Sequence, residues 1–156
     1  MVSKPVVVGP GEGTSIPGPA GGLLTWKARG ADTAGAFTAF ENTVAPLDGP
    51  PLHRHADCEE TWYVLEGALR FRFDDDVRSA PQGSYVVVPR GQAHCFQNVG
   101  AEHAHILVTF VPAAMESFFE EVAALPPGSG QADWAPIAAS AGMTIVGPPL
   151  SVSHPG

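Results

Sequence analysis

Four residues in two short stretches of the sequence have the types and the spacing of ligands to a single metal ion. They are His53, His55, Glu60 and His94. Because side chains alternate between the two faces of a strand, we expect His53 and His55 to point to a common centre and Arg54 to point away from it. The turn at residues 56–59 then allows Glu60 to face the same centre from the head of a strand rich in β-prone residues.

The second stretch, residues 83–98, supplies the fourth candidate. A valine-rich run at Tyr85–Val88 predicts a strand, and the turn residues Pro89 and Gly91 end it. His94 therefore opens a new strand and can face the same centre. Three imidazoles and one carboxylate bind borderline divalent ions, so the predicted cofactor is one divalent transition metal: iron, nickel, manganese, cobalt, copper or zinc.

Both stretches match the paired motifs of a known family. The motif G-x5-P-x-G-x2-H-x3-N is matched by Gly83, Pro89, Gly91, His94 and Asn98. The motif H-x-H-x3–4-E-x6-G is matched by His53, His55, Glu60 and Gly67. With these residues the chain resembles the cupin superfamily. Its C-terminal ending and the strings PLHRH and WYVLEG are similar to those of single-domain, quercetinase-like cupins. The resemblance implies an all-β fold, a cupin jelly-roll β-barrel with a short C-terminal α-helical appendage, which holds the metal ligands inside the barrel.

Other residues of ligand type receive different interpretations. Glu59 competes with Glu60, because the motif accepts three or four residues after the second histidine, but the six-residue spacing to Gly67 favours Glu60. Alternation turns the Cys95 thiol away from the metal, and Cys58 lies in the turn between ligands. We expect both cysteines to be bystanders. A further pair, His103 and His105, has no acidic partner or third histidine at metal spacing, which favours a surface or interface position.

The sequence predicts one cupin domain over residues 1–156. Glycine and proline interrupt residues 1–22, which we interpret as an extended N-terminal arm. Alternating apolar residues predict the barrel over residues 23–111. In the C-terminal segment, residues 112–156, the apolar period changes to that of a short amphipathic helix near Met115–Ala123, followed by a weaker helix and a tail.

The resemblance also implies a reaction. An octahedral ion held by four ligands has open positions at which a substrate with adjacent oxygens could bind, lose its proton to Glu60 and react with dioxygen. The expected function is therefore that of a metal-dependent dioxygenase acting on a small aromatic or enol-type substrate, with Glu60 as the catalytic residue. The same scaffold also hosts metal-dependent isomerases, lyases and cyclases, and small-molecule-binding modules without turnover.

Aromatic residues are expected to form the wall of the substrate pocket. Alternation along the strands turns four of them inward: Trp62, Phe71, Phe73 and Phe96. An aromatic wall suits a flat organic ligand. Simple core packing would select the same residue types at the same positions, so the pattern leaves both interpretations open.

The acidic balance of the chain argues against nucleic acid as a partner. With 8 Lys and Arg residues against 16 Asp and Glu residues, the formal net charge is −8, which repels a phosphate backbone. The N-terminal sequence lacks the pattern of a secretory signal, and two cysteines make no disulfide framework. We expect a cytoplasmic protein with a small-molecule substrate and no membrane partner. Because jelly rolls have exposed sheet edges, we also expect a homodimer, with Val6–Val8 pairing onto a neighbour's sheet.

Overall fold

Residues 4–156 are described by the computed structural model. In chain order the elements are β1 (Ser15–Pro17), β2 (Leu23–Ala28), β3 (Thr38–Val44), β4 (Pro51–His55), β5 (Glu59–Glu66), β6 (Ala68–Phe73), β7 (Asp76–Pro81), β8 (Tyr85–Val88), β9 (His94–Asn98), β10 (Ala104–Val111), α1 (Glu116–Ala123), α2 (Gln131–Ser140), β11 (Met143–Pro149) and α3 (Leu150–Ser153). The strands form a six-stranded sheet in the order β1-β2-β3-β10-β5-β8 and a five-stranded sheet in the order β11-β4-β9-β6-β7. All of the strand pairs are antiparallel.

Alternating burial along the strands builds a core between the two sheets. Every second residue of β3 and β10 is buried, and Phe40, Val108 and Trp62 form one row across β3, β10 and β5. The Trp62 ring also contacts Phe71 of the other sheet, with ring centroids 5.1 Å apart. Burial of such large aromatic side chains is a main source of stability. The expected all-β jelly roll is confirmed.

Helix α1 packs onto the hydrophobic core and is hydrogen-bonded to the six-stranded sheet. Phe119 on its apolar face packs edge-on against Phe40 of β3, with ring centroids 5.1 Å apart. At the start of the helix, Glu116 accepts hydrogen bonds from the Gly30 amide at 2.5 Å and from the Thr38 hydroxyl at 2.8 Å. These bonds fix the helix against the β2–β3 connection. In the described part of the chain, no helix has both the length and the apolar character needed to cross a membrane.

The sheets extend beyond residues 23–111, where the barrel was expected. Strand β1 belongs to the arm expected at residues 1–22 and pairs with β2, while β11 belongs to the C-terminal segment and pairs with β4. Both are edge strands. Proline is tolerated in an edge strand because the N–H groups on its outer side have no partner strand to bond. Val6–Val8 lie in no strand of this chain, and their pairing onto the sheet of a neighbouring chain stays a prediction. The loop that follows is held instead by Lys27, whose ammonium donates to two of its backbone carbonyls.

Candidate metal centre

The four predicted ligands converge between the two sheets. His53 and His55 project from the same face of β4, and Arg54 between them is exposed. His94, the first residue of β9, pairs with His53 across the neighbouring strands, and Glu60 approaches from β5 in the opposite sheet. One donor atom from each of the four residues lies within 4.8 Å of the other three. All four side chains are buried, and the most exposed of them is Glu60 at 6%.

Backbone carbonyls fix the orientation of two of the imidazole rings. His53 Nδ1 lies 2.8 Å from the carbonyl oxygen of Pro51, and His94 Nδ1 lies 2.9 Å from that of Gln92. In each ring Nδ1–H donates to the carbonyl, which leaves Nε2 as the nitrogen that can face the centre. A ligating histidine in a metalloprotein is usually held by the same kind of bond.

Glu60 is the hub of the cluster. Its Oε2 lies 3.0 Å from His55 Nε2 and 3.0 Å from His94 Nε2. Burial favours the neutral acid, but the neighbouring His55 and His94 side chains outweigh it and lower the pKa of Glu60 to about 2. Glu60 is therefore a carboxylate at neutral pH and can serve as an anionic ligand.

The donor set fits a divalent transition metal. Both ring nitrogens of His94 face acceptors, the Gln92 carbonyl and Glu60 Oε2, so its Nε2 must present either a proton or a cation toward the carboxylate. Neither ring nitrogen of the buried His55 has a hydrogen-bond partner within residues 4–156, although its Nε2 lies 3.0 Å from Glu60 Oε2. A divalent ion held by the Nε2 atoms of the histidines and by Glu60 would replace the proton on His94 and neutralise the buried carboxylate.

The other candidates from the sequence lie outside the cluster. Glu59 points outward and forms a bidentate ion pair with Arg90, at 2.8 and 2.7 Å, so Glu60 is the glutamate in the cluster. Burial raises the pKa of Cys58 to about 12, which keeps its thiol protonated. Cys95 faces the other side of its sheet and packs in a separate small cluster. His103 is exposed in the loop before β10.

An apolar cavity of about 180 Å³ adjoins the cluster. His53, His55 and Glu60 line it together with the predicted wall residues Trp62 and Phe96. Further aromatic side chains line it from β3, β10 and the C-terminal helices: Phe40, Phe110, Phe118, Phe119 and Trp134. The cavity therefore joins the candidate metal ligands to a largely aromatic surface suited to an organic molecule.

Phe71 and Phe73, predicted for the same wall, do not reach this cavity. Phe71 points inward, but it packs behind Trp62, whose ring contacts Phe71 at 5.1 Å and His94 at 5.4 Å between centroids. Phe73 stacks on Phe71 and is only partly buried. Both residues line a separate depression between β6, β7 and β8. The Trp62 ring therefore separates them from the candidate substrate space.

The sequence interpretation missed the contribution of the C-terminal helices to the cavity. The helical period placed Phe118 and Phe119 on a buried face, and the structure confirms that Phe118 is buried. The pattern contained no information about which part of the core this face covers. Trp134 of α2 contacts Phe118 edge-on at 6.0 Å, so the two helices contribute a joined aromatic group.

The metal-free protein is expected to lose stability in mild acid. Burial and the neighbouring His94 lower the pKa of His53 from 6.5 to about 3. An unfolded chain binds a proton at this residue near pH 6.5, whereas the folded chain does so only near pH 3, so stability falls as the pH drops through this interval. At pH 5 the loss from His53 is about 2 kcal/mol, and below pH 4.5 Glu60 adds to it because its pKa is also lowered.

Urea unfolding of chelator-treated protein at pH 7.5 and pH 5 measures this loss. His53→Leu should show a smaller difference between the two pH values than the wild type, while His103→Leu, which alters an exposed histidine, should not. Equal pH dependence in the wild type and in His53→Leu would contradict the assignment of a buried, neutral His53.

Comparison with known proteins finds a family match over part of the chain. Residues 40–110 match the family model described as "Cupin domain". Among curated proteins, a segment of 69 residues, 44% of this chain, is 26% identical to mannose-1-phosphate guanylyltransferase of Escherichia coli (strain K12). That segment spans only 14% of the enzyme's length.

Solved structures share the fold at low sequence identity. KdgF from Halomonas sp. superposes with a TM-score of 0.63 at 16% identity, over 70% of this chain and 94% of that one. The polyketide cyclase RemF from Streptomyces resistomycificus superposes with a TM-score of 0.59 at 21% identity, over 69% of this chain and 80% of that one. The family match, the two-sheet fold and the buried cluster of three histidines and one glutamate together assign a cupin domain to residues 40–110 of this chain.

Proposed function

We propose that the protein is a metal-dependent dioxygenase that acts on a small enol-type or aromatic substrate. The observation that carries the proposal is the position of Glu60, a buried carboxylate in contact with two imidazoles that also lines an apolar cavity. His53, His55, Glu60 and His94 would hold the ion. A bound divalent ion supplies Lewis acidity, which polarises substrate oxygens and makes an adjacent C–H or O–H proton easier to remove.

Glu60 is the group that would take the substrate proton. It is ionised at neutral pH, because His55 and His94 lower its pKa to about 2 in spite of its burial, and it lines the cavity in which a substrate would lie. Loss of the proton turns an enol into an electron-rich enolate. Dioxygen would add to the electron-rich carbon of this enolate, and one C–C bond of the substrate would then break. Both oxygen atoms would end in the products, and the proton would return from Glu60 to a product carboxylate or to solvent.

The size of the cavity favours a small substrate. Its volume of about 180 Å³ is only slightly larger than the ~150 Å³ cavity that holds benzene, and it lies below the ~300 Å³ at which pockets for drug-sized ligands begin. A short β-diketone or a single aromatic ring fits this volume better than a three-ring flavonol. The aromatic walls would also exclude water from the reacting carbon.

A second candidate is a proton-transfer enzyme, such as an isomerase, lyase or cyclase. The observation in its favour is that Glu60 is a buried carboxylate that lines the cavity. A carboxylate in this position can take a proton from one atom of a substrate and return it to another, as these reactions require. The likeness to the cyclase RemF concerns the fold, because the sequences are only 21% identical.

An oxygen electrode separates the two candidates. Protein loaded in turn with iron, nickel, manganese, cobalt, copper or zinc is mixed with acetylacetone, longer β-diketones and catechol. The dioxygenase predicts oxygen uptake in one-to-one ratio with substrate loss, and both atoms of ¹⁸O₂ in the products. Substrate loss without oxygen uptake would replace this proposal with the isomerase or cyclase. Binding without any turnover would indicate a binding module.

A further inference from the structure

Asn42 is a buried polar residue in the cavity for which the fold provides no partner. It lies on β3, its side chain is 6% exposed, and it lines the same cavity as His53, His55 and Glu60. Its Oδ1 has no hydrogen-bond partner within residues 4–156. An unpaired buried carbonyl oxygen destabilises a folded protein, because water hydrogen-bonds it in the unfolded chain.

Asn98 shows how this fold normally treats a buried asparagine. Its Nδ2 donates to the carbonyl oxygens of Val44 and Glu102 at 2.9 and 2.8 Å, and its Oδ1 accepts from the Gly100 amide at 2.8 Å. Asn98 is thus a structural residue that holds a turn. Within residues 4–156 the Asn42 side chain makes no such bonds, and an unpaired side-chain amide that lines a cavity is suited to pairing with a ligand.

The strand register places Asn42 at a distance from the metal ligands. In the six-stranded sheet, Asn42 shares a row with Ile106 and Val64, whereas Glu60 pairs with Phe110. From Glu60 to Asn42 the path is four residues along the strands and two strands across, or roughly 13 Å and 10 Å in the plane of the sheet. The loop containing Gly18 covers the Asn42 end, where a Cβ on Gly18 would come within 2.9 Å of Oδ1.

We propose that Asn42 is a specificity residue whose side-chain amide forms a hydrogen bond with a hydroxyl group at the end of the substrate remote from the metal ligands. The substrate class is then an elongated small molecule with two adjacent oxygens at one end, an apolar middle and a hydroxyl group at the other end. This inference rests on the proposed function for the end of the substrate that faces Glu60. It adds the chemical group expected at the opposite end of the substrate.

Thermal unfolding of two matched variants tests whether Asn42 is kept for a ligand. Asn42→Leu replaces an unpaired polar group in an apolar cavity by an apolar group with the same branching, so its Tm should equal or exceed that of the wild type. Asn98→Leu leaves three backbone groups without partners and should lower the Tm by several degrees. A drop in Asn42→Leu similar to that in Asn98→Leu would make Asn42 a structural residue and overturn the proposal.

Calorimetric binding of a matched pair of diketones tests the recognition itself. 8-Hydroxyoctane-2,4-dione and nonane-2,4-dione differ only in a terminal hydroxyl against a methyl group. The metal-loaded wild type should bind the hydroxyl compound about tenfold more tightly, and Asn42→Leu should lose this preference while it still binds nonane-2,4-dione. Equal affinities in the wild type, an unchanged preference in the variant, or binding of neither compound would overturn the substrate class proposed here. If the preference is found and no oxygen is consumed, the dioxygenase fails and the assignment of Asn42 stands.

Discussion

Replacement of Glu60 by glutamine is expected to lower turnover by about 10²–10⁴-fold at saturating metal. The amide keeps the shape and one oxygen donor of the carboxylate but loses its charge and its basicity. The three histidines should still bind the ion, with affinity reduced by roughly 10–100-fold, so the loss of rate can be measured after metal is restored. Steady-state kinetics on an identified substrate measure the turnover, and the metal content is measured in the same samples.

The neighbouring residue offers a matched control for this variant. Glu59→Gln makes the same chemical change one position earlier, at a side chain that pairs with Arg90 on the surface. We expect it to retain wild-type turnover and metal affinity. If Glu60→Gln matches Glu59→Gln in turnover at saturating metal, Glu60 is a dispensable ligand and the proposed proton transfer is wrong.

Replacement of His94 by alanine is expected to lower the affinity for a divalent ion by more than ~100-fold. The loss of a hydrogen-bond partner behind a ligand already costs about 10–100-fold, and this change removes the ligand itself. His94 is the least exposed of the four residues at 1%, and its Nε2 contacts Glu60 directly, so the substitution also removes a partner of the carboxylate. Competition with a chromogenic chelator measures the affinities.

His105→Ala is the control for this substitution. His105 is a half-buried histidine of β10, outside the cluster of candidate ligands. Its replacement should leave metal affinity within a factor of about two. Because the ligands must be neutral imidazoles to bind, wild-type affinity should also fall in acid. Equal chelator competition by both alanine variants would show that the metal binds elsewhere.

Local geometry alone could predict the arrangement of only two of the four candidate ligands. His53 and His55 are two residues apart on one strand, so alternation alone places them on the same face. The approach of Glu60 and His94 from other strands is a long-range property. It became predictable only because the glycine and proline spacing resembles a family in which the same strands are paired.

The cavity was less predictable, because the direction of a side chain does not determine its depth in the core. Phe71 points inward as alternation requires, yet the larger Trp62 ring occupies the space between it and the ligands. The packing of Phe118 and Trp134 onto the cavity depends on the path of the C-terminal segment, which no periodicity describes. Asn42 resembles any polar residue of a half-buried strand until its missing partner is seen.

Elemental analysis of the untagged protein, purified from cells without a chelator, tests whether the cluster of three histidines and one glutamate holds a metal. We expect close to one divalent transition-metal ion per chain in the wild type, because four buried donors lie within 4.8 Å of one another. We expect less than about a tenth of that amount in a His53→Ala, His94→Ala double variant that retains the fold by circular dichroism. Wild-type protein that contains no metal, and that binds none of the six ions more tightly than the double variant does, would rule out the metal centre.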